Sequence, residues 1–115
     1  MRVLITGSRT WEDHAAIVAE LARLQSADVV IHGGCPTGAD AITHEHAMDL
    51  GLPVEVYRAD WKTHGRAAGP IRNREMVATK PDLVIAFVTG ESRGTKDCIR
   101  AAEAAGLPVR IHYDG

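Results

Sequence analysis

The chain has 115 residues, 45% of them hydrophobic and 24% charged, which is enough for one ordinary core and too short for two. Its formal charge of −2 supplies no global field to draw in nucleic acid or an anionic membrane, so an anion site has to be local. No apolar run approaches the ~20 residues of a membrane span, and Arg2 leads straight into a strand-like run instead of a secretory leader.

A single cytoplasmic domain over residues 1–115 is therefore expected. Aromatic residues are only 4%, so its core has to be built from Val, Ile, Leu and Ala. Residues 2–6, Arg-Val-Leu-Ile-Thr, are a short apolar run closed by Gly7-Ser8 and read as a buried first strand. A helix follows: Thr10 is placed to cap it, Asp13 stands at capping-box spacing, and Ile17, Leu21 and Leu24 recur on one face. Residues 28–32 form the second strand, ended by Gly33-Gly34. Thr37 then opens a helix with Asp40 at the same capping-box spacing, and Gly51 with Pro53 stops it.

Residues 53–57 give a third strand. Residues 58–69 hold neither period, and an irregular stretch of that length in a small domain points to function. Pro70 suits the first turn of a helix reaching Lys80, which Pro81 ends. Residues 82–88 are the fourth strand, continuously apolar from Leu83 as a central parallel strand should be. Gly94-Thr95 opens the last helix, whose Cys98, Ala101, Ala102 and Ala105 share one face. Gly106 stops it, and residues 107–112 supply the fifth strand. This alternation predicts a Rossmann-like three-layer α/β sandwich, a five-stranded parallel sheet with helices on both faces.

In such a sheet ligands bind beyond the carboxyl ends of the strands, where the strand order reverses. That rule selects Gly7-Ser8-Arg9, the turn from Gly33-Gly34 to Thr37-Gly38, residues 58–69, and the turn from Gly90 to Gly94-Thr95. Two of these deliver a glycine and a threonine into a helix start, where free N–H groups and the helix dipole favour an anion such as phosphate. Backbone amides of both turns are expected to converge on one guest. Neither turn matches a P-loop or the Gly-x-Gly-x-x-Gly fingerprint.

Charge placement agrees. Residues 58–74 carry Arg58, Lys62, Arg66, Arg72 and Arg74 against Asp60, five positives and one negative, in a net acidic chain. Arg58 and Lys62 also suit a solvated face. Arg72 is expected in the first turn of its helix, where a cation opposes the dipole unless an anion is near. Trp61 and Trp11 could each stack on a base or cover apolar surface, and Trp61, in the irregular basic stretch, is the better stacking candidate. His44 and His46 stand two apart on a helix and point in different directions, so no metal site is expected; Cys35 and Cys98 form no ligand set or disulfide framework. No cofactor is called for.

Several motifs, quoted in order, carry a family resemblance. They are Val-Leu-Ile-Thr-Gly-Ser-Arg-Thr-Trp at 3–11, His-Gly-Gly-Cys-Pro-Thr-Gly-Ala-Asp at 32–40, Ala-Asp-Trp at 59–61, Gly-Pro-Ile-Arg-Asn-Arg-Glu-Met at 69–76, and Gly94-Thr95. Together they resemble the YspA/YpsA-related branch of the SLOG superfamily, which also includes the LOG phosphoribohydrolases and the DNA-processing protein DprA. The resemblance implies a Rossmann-like fold and a nucleotide-derived ligand. Some such relatives cleave the N-glycosidic bond of a nucleoside monophosphate, and others are thought to sense nucleotide signals.

Arg72 with Glu75 and Met76 is similar to the Arg-x-x-Glu-Met helix of the LOG enzymes, whose arginine is catalytic, so the resemblance implies an active role for Arg72. The second LOG motif survives only as Gly94-Thr95. Cys98 stands where that motif has its glutamate, with Asp97 adjacent and Glu91 on the preceding loop.

The leading expectation is a binding or sensing domain for a phosphate-bearing, nucleotide-like small molecule. Its candidate ligand residues are Gly7, Ser8, Arg9, Gly33, Gly34, Thr37, Gly38, Asp40, Trp61, Arg72, Asn73, Gly94 and Thr95. The alternative is a nucleoside-monophosphate N-glycosidase in which Arg72 grips the substrate and Asp97 or Asp40 supplies a carboxylate. For Asp40 that role competes with a reciprocal cap of its own helix. Single-stranded DNA binding in the manner of DprA is a weaker alternative, because the chain is acidic and lacks a broad basic stripe, so no nucleic-acid partner is expected. A homo-oligomer is expected, since related folds commonly pair through helices beside the site.

Overall fold

The computed structural model describes residues 1–114. Five strands, β1 (Arg2–Gly7), β2 (Val29–His32), β3 (Val54–Val56), β4 (Leu83–Val88) and β5 (Val109–Tyr113), form one sheet in the order β3-β2-β1-β4-β5. Every pairing is parallel, with Val3 beside Leu83 and Gly7 beside Phe87 along the central pair. This is the Rossmann strand order, and it reverses between β1 and β4.

Successive β1 side chains go to opposite faces, as the two-residue repeat of a strand requires. Val3 and Ile5 pack with Ile17 and Leu21 of α1 (His14–Leu21) and with Ala39, Ile42 and Ala47 of α2 (Gly38–Asp49). Leu4 packs on the other side with Met76 and Val77 of α4 (Ala68–Ala78) and with Cys98 and Ala102 of α5 (Arg93–Ala104). The three-layer α/β arrangement is thus as expected. No helix of the described residues is long and apolar enough to cross a membrane.

Several local expectations are corrected. Asp13, not Thr10, caps α1, accepting the Ala16 N–H at 3.2 Å. The reason lies in Trp11, only 3% exposed: its ring packs edge-on against Phe87 at 5.2 Å, and its backbone N–H turns back to the Ser8 carbonyl, delaying the helix. Residues 58–69 are not wholly irregular. Asp60 accepts the Thr63 N–H and starts the single turn α3 (Trp61–His64), and a 3-10 turn over Gly65–Ala67 leads into α4. α4 therefore begins at Ala68, before Pro70, so Arg72 lies beyond its first turn and the dipole argument for it falls away. The last helix likewise opens at Arg93, one residue before Gly94.

Candidate functional site

Beyond the carboxyl ends of β1, β2 and β4 lies a cleft of about 1160 Å³, slightly above the ~300–1,000 Å³ usual for small-molecule sites. Gly7, Ser8, Arg9, Gly33, Gly34, Asp40, Trp61, Arg72, Asn73, Gly94, Thr95 and Asp97 all line it. Thr37 and Gly38 do not. Gly38 has φ +70°, and a Cβ there would overlap the Ser8–Arg9 backbone; the Ala39 N–H donates to the Ser8 carbonyl at 3.1 Å. The start of α2 is plugged into the β1 turn, and its Ala39 amide is taken by protein rather than left for a guest.

The β2 turn is also occupied from within. Asp40, 7% exposed, reaches back from α2 and accepts the Cys35 N–H at 3.2 Å, with the Gly33 amide also favouring its charged form, while the Gly34 N–H donates to His32 Nδ1 at 3.0 Å. Asp40 accordingly caps the turn before its helix and does not form the reciprocal capping box. The expectation that both turns offer free amides to one guest is thus corrected: they converge on one cleft, but at β2 a carboxylate holds the place.

At β4 the amides remain available. The Lys96 N–H makes the first α5 bond, to the Ser92 carbonyl at 3.0 Å, which leaves the N–H groups of Arg93, Gly94 and Thr95 ahead of the ladder. Ser92 adopts a left-handed conformation, φ 45°. A hydroxyl chain holds it there: Ser92 donates to Thr95 Oγ1 at 2.8 Å and shares a 2.5 Å hydrogen bond with Ser8 Oγ, which also accepts the Thr89 N–H at 2.7 Å. Ser8 therefore couples the β1 and β4 turns, with its own hydroxyl fully engaged.

Arg72 lies against the β2 turn, donating to the Gly33 carbonyl at 2.6 Å and from Nε to Asn73 Oδ1 at 3.0 Å. It fits because Gly33 has no side chain; a Cβ there would overlap the guanidinium. Asn73, 3% exposed, bridges onward, donating from Nδ2 to the Gly94 carbonyl and to Asp97 Oδ2, both at 3.1 Å. Arg72, Asn73 and Asp97 thus form one chain linking β2, α4 and α5.

Six arginines line the cleft, Arg9, Arg58, Arg66, Arg72, Arg93 and Arg100, against the two acids Asp40 and Asp97. With both acids ionised the balance is +4 in a chain of net −2. Arg58 therefore belongs to the cleft, donating to the Gly34 carbonyl at 3.1 Å, and not only to a solvated face. Lys62 and Arg74 are not part of the lining. Trp61 is 50% exposed, beside Gly69 and with the Arg9 guanidinium 5.8 Å from its ring centroid. Trp11, by contrast, is core. Arg93 and Arg100 were not among the expected residues, although their spacing shows it: with Asp97 they stand at i, i+4 and i+7, one face of α5.

Burial pushes the Asp40 carboxyl up to about 6, although the Cys35 and Gly33 amides and Arg72 favour its charged form. Burial pushes His32 down to about 4, helped by His44, Arg58 and Arg72. Burial also raises the Cys98 thiol to about 11, so at the position of the missing glutamate there is a neutral, buried thiol.

A family model described as the YspA, cpYpsA-related SLOG family matches residues 1–64, from β1 into α3. The chain belongs to this SLOG family. It is also similar to the Gene 61 protein of Mycobacterium phage D29, 44% identical over 117 residues that cover 94% of this chain and 93% of that protein. The family match takes in the Gly33–Asp40 turn and Trp61 of this SLOG domain. Arg72, Asn73 and Asp97 lie beyond it, within the chain's wider likeness to the phage protein.

Proposed function

We propose that this SLOG domain binds a phosphate-bearing, nucleotide-derived small molecule in the cleft. The phosphate would sit at the α5 start, among Gly94, Thr95 and the arginines, and the base against Trp61. The observation that carries the reading is that six arginines line the cleft into which a free helix start opens, within an otherwise acidic chain. Family membership supports the ligand class. Titration calorimetry with nucleoside mono- and diphosphates and ADP-ribose derivatives tests it: micromolar binding of at least one, weakened in Arg72→Ala, is expected. Absence of binding across the panel overturns it.

One observation favours a second reading, hydrolysis of a nucleoside monophosphate. A buried carboxyl raised to about 6, in the cleft with Arg72, is suited to handle a proton near neutral pH. Water would add at C1′, the N-glycosidic bond would break, and free base and ribose 5-phosphate would leave. Release of free base, lost in Asp40→Asn, Asp97→Ala or Arg72→Ala, is the expected result; a ligand that binds and stays intact refutes this reading alone.

A further inference from the structure

Histidines outside the binding chemistry above meet in two pairs. His32 Nε2 and His44 Nδ1 lie 2.9 Å apart, as do His14 Nδ1 and His46 Nε2, with the rings nearly perpendicular in each pair. The first pair is a directed hydrogen bond. His32 Nδ1 accepts the Gly34 N–H, so His32 Nε2 carries the proton and donates it to His44.

The second pair has no such direction. His14 opens α1 and is exposed, and His46 is half-buried on α2; among the described residues neither ring makes another hydrogen bond. Exposed Glu45 stands beside them, also without a salt bridge among the described residues. One donor atom from each of His14, Glu45 and His46 lies within 4.8 Å of the other two.

Zinc bonds of ~2.0–2.2 Å in a tetrahedron place neighbouring donors about 3.3–3.5 Å apart. The two nitrogens would need to separate by a few tenths of an ångström and the carboxylate, within 4.8 Å of both, to adjust to the same spacing, movements open to side chains at the surface. Two imidazoles and one carboxylate favour a borderline first-row ion over magnesium or calcium, which prefer all-oxygen sets. We propose that His14, Glu45 and His46 form a site for a divalent transition-metal ion of the zinc class. Three protein donors leave a fourth position for water, and the ion ties the start of α1 to α2. His46 points away from His44, as the sequence indicated; its metal partner comes from another helix.

The test uses the whole chain without an affinity tag, stripped of metal by chelation and titrated with zinc chloride or with cobalt(II) followed by its visible absorption. One equivalent should bind, and at a hundredfold excess over Kd the Tm should rise by about 10 °C. His14→Ala and His46→Ala should each weaken binding at least about tenfold, Glu45→Gln should weaken it less, and His64→Ala should leave it unchanged. Magnesium should give no rise in Tm. Circular dichroism confirms that each surface variant is folded. Failure to bind one equivalent below about 100 μM, or full binding retained by His14→Ala or His46→Ala, overturns the proposal.

Discussion

Replacing Asp40 by Asn should stabilise the domain at neutral pH, and the gain should vanish in acid. The ordinary aspartate value is 3.8, and burial lifts Asp40 to about 6, a difference equivalent to about 3 kcal/mol. The folded carboxyl holds its proton more tightly than the unfolded one. Asp40 therefore costs nothing below pH 3.8, its penalty grows as pH rises to about 6, and above that the full penalty persists. Asparagine keeps an oxygen for the Cys35 amide without the charge. Urea unfolding of both proteins from pH 4 to 7.5 isolates the effect, because every other titrating group cancels in the difference. The wild-type slope alone would mislead: His32, held near 4 against an ordinary 6.5, makes stability rise with pH through much of the same window. A variant-minus-wild-type difference that is flat with pH, or that grows toward acid, refutes the reasoning.

Trp61→Ala should weaken binding of a nucleotide by about 1–3 kcal/mol and leave ribose 5-phosphate or inorganic phosphate unchanged, as calorimetry would show. Equal losses for both would remove the base from Trp61. Gly38→Ala should destabilise by at least about 2 kcal/mol in urea, since φ +70° and the Ser8–Arg9 backbone both reject a Cβ. Glu20, 4% exposed, accepts Arg110 at 2.7 and 2.9 Å and pairs with His112 at 2.7 Å. Although burial opposes it, these bonds hold the Glu20 carboxyl below its ordinary value. Glu20→Gln should therefore cost about 1–3 kcal/mol at neutral pH, less as pH falls below the ordinary glutamate range and the wild-type carboxyl also protonates; a pH-independent loss would refute the charge-based account.

Element type was legible wherever a run was long enough to show its period. The apolar stretches of β1, β2 and β4 announce buried parallel strands, and their alternation with helices fixes the layers. α3 was not legible, because four residues held by Asp60 and Thr63 cannot display a helical repeat. Helix starts were misplaced where two capping residues compete, as Thr10 and Asp13 do, since the choice rests on Trp11 packing against Phe87 across the fold. The cleft's membership followed from topology, but its internal pairing did not. Nothing local says that Asp40 will take the Cys35 amide, or that Arg72 will lie on Gly33, 39 residues away. His14 and His46 are hidden for the same reason, 32 residues apart. Arg93, Asp97 and Arg100 share a helical face that the sequence does display.

Filling the β2 amides with a carboxylate has a consequence for any anionic guest. A phosphate among the arginines would place negative charge near Asp40, and like charge disfavours ionisation, so the Asp40 value should climb above about 6 on binding. Near pH 6.5 the complex should then take up a fraction of a proton, and affinity should fall as pH rises. A phosphate monoester titrates in the same region and pushes the other way, because arginines favour its dianion. Only the difference between wild type and Asp40→Asn is therefore diagnostic. Calorimetry in two buffers of different ionisation heat measures it: wild type should take up more protons than Asp40→Asn at pH 6.5, and the two should agree at pH 8.5. Identical proton counts at pH 6.5 would place the guest's charge out of reach of Asp40 and refute the coupling between the carboxylate at β2 and a phosphate at the α5 start.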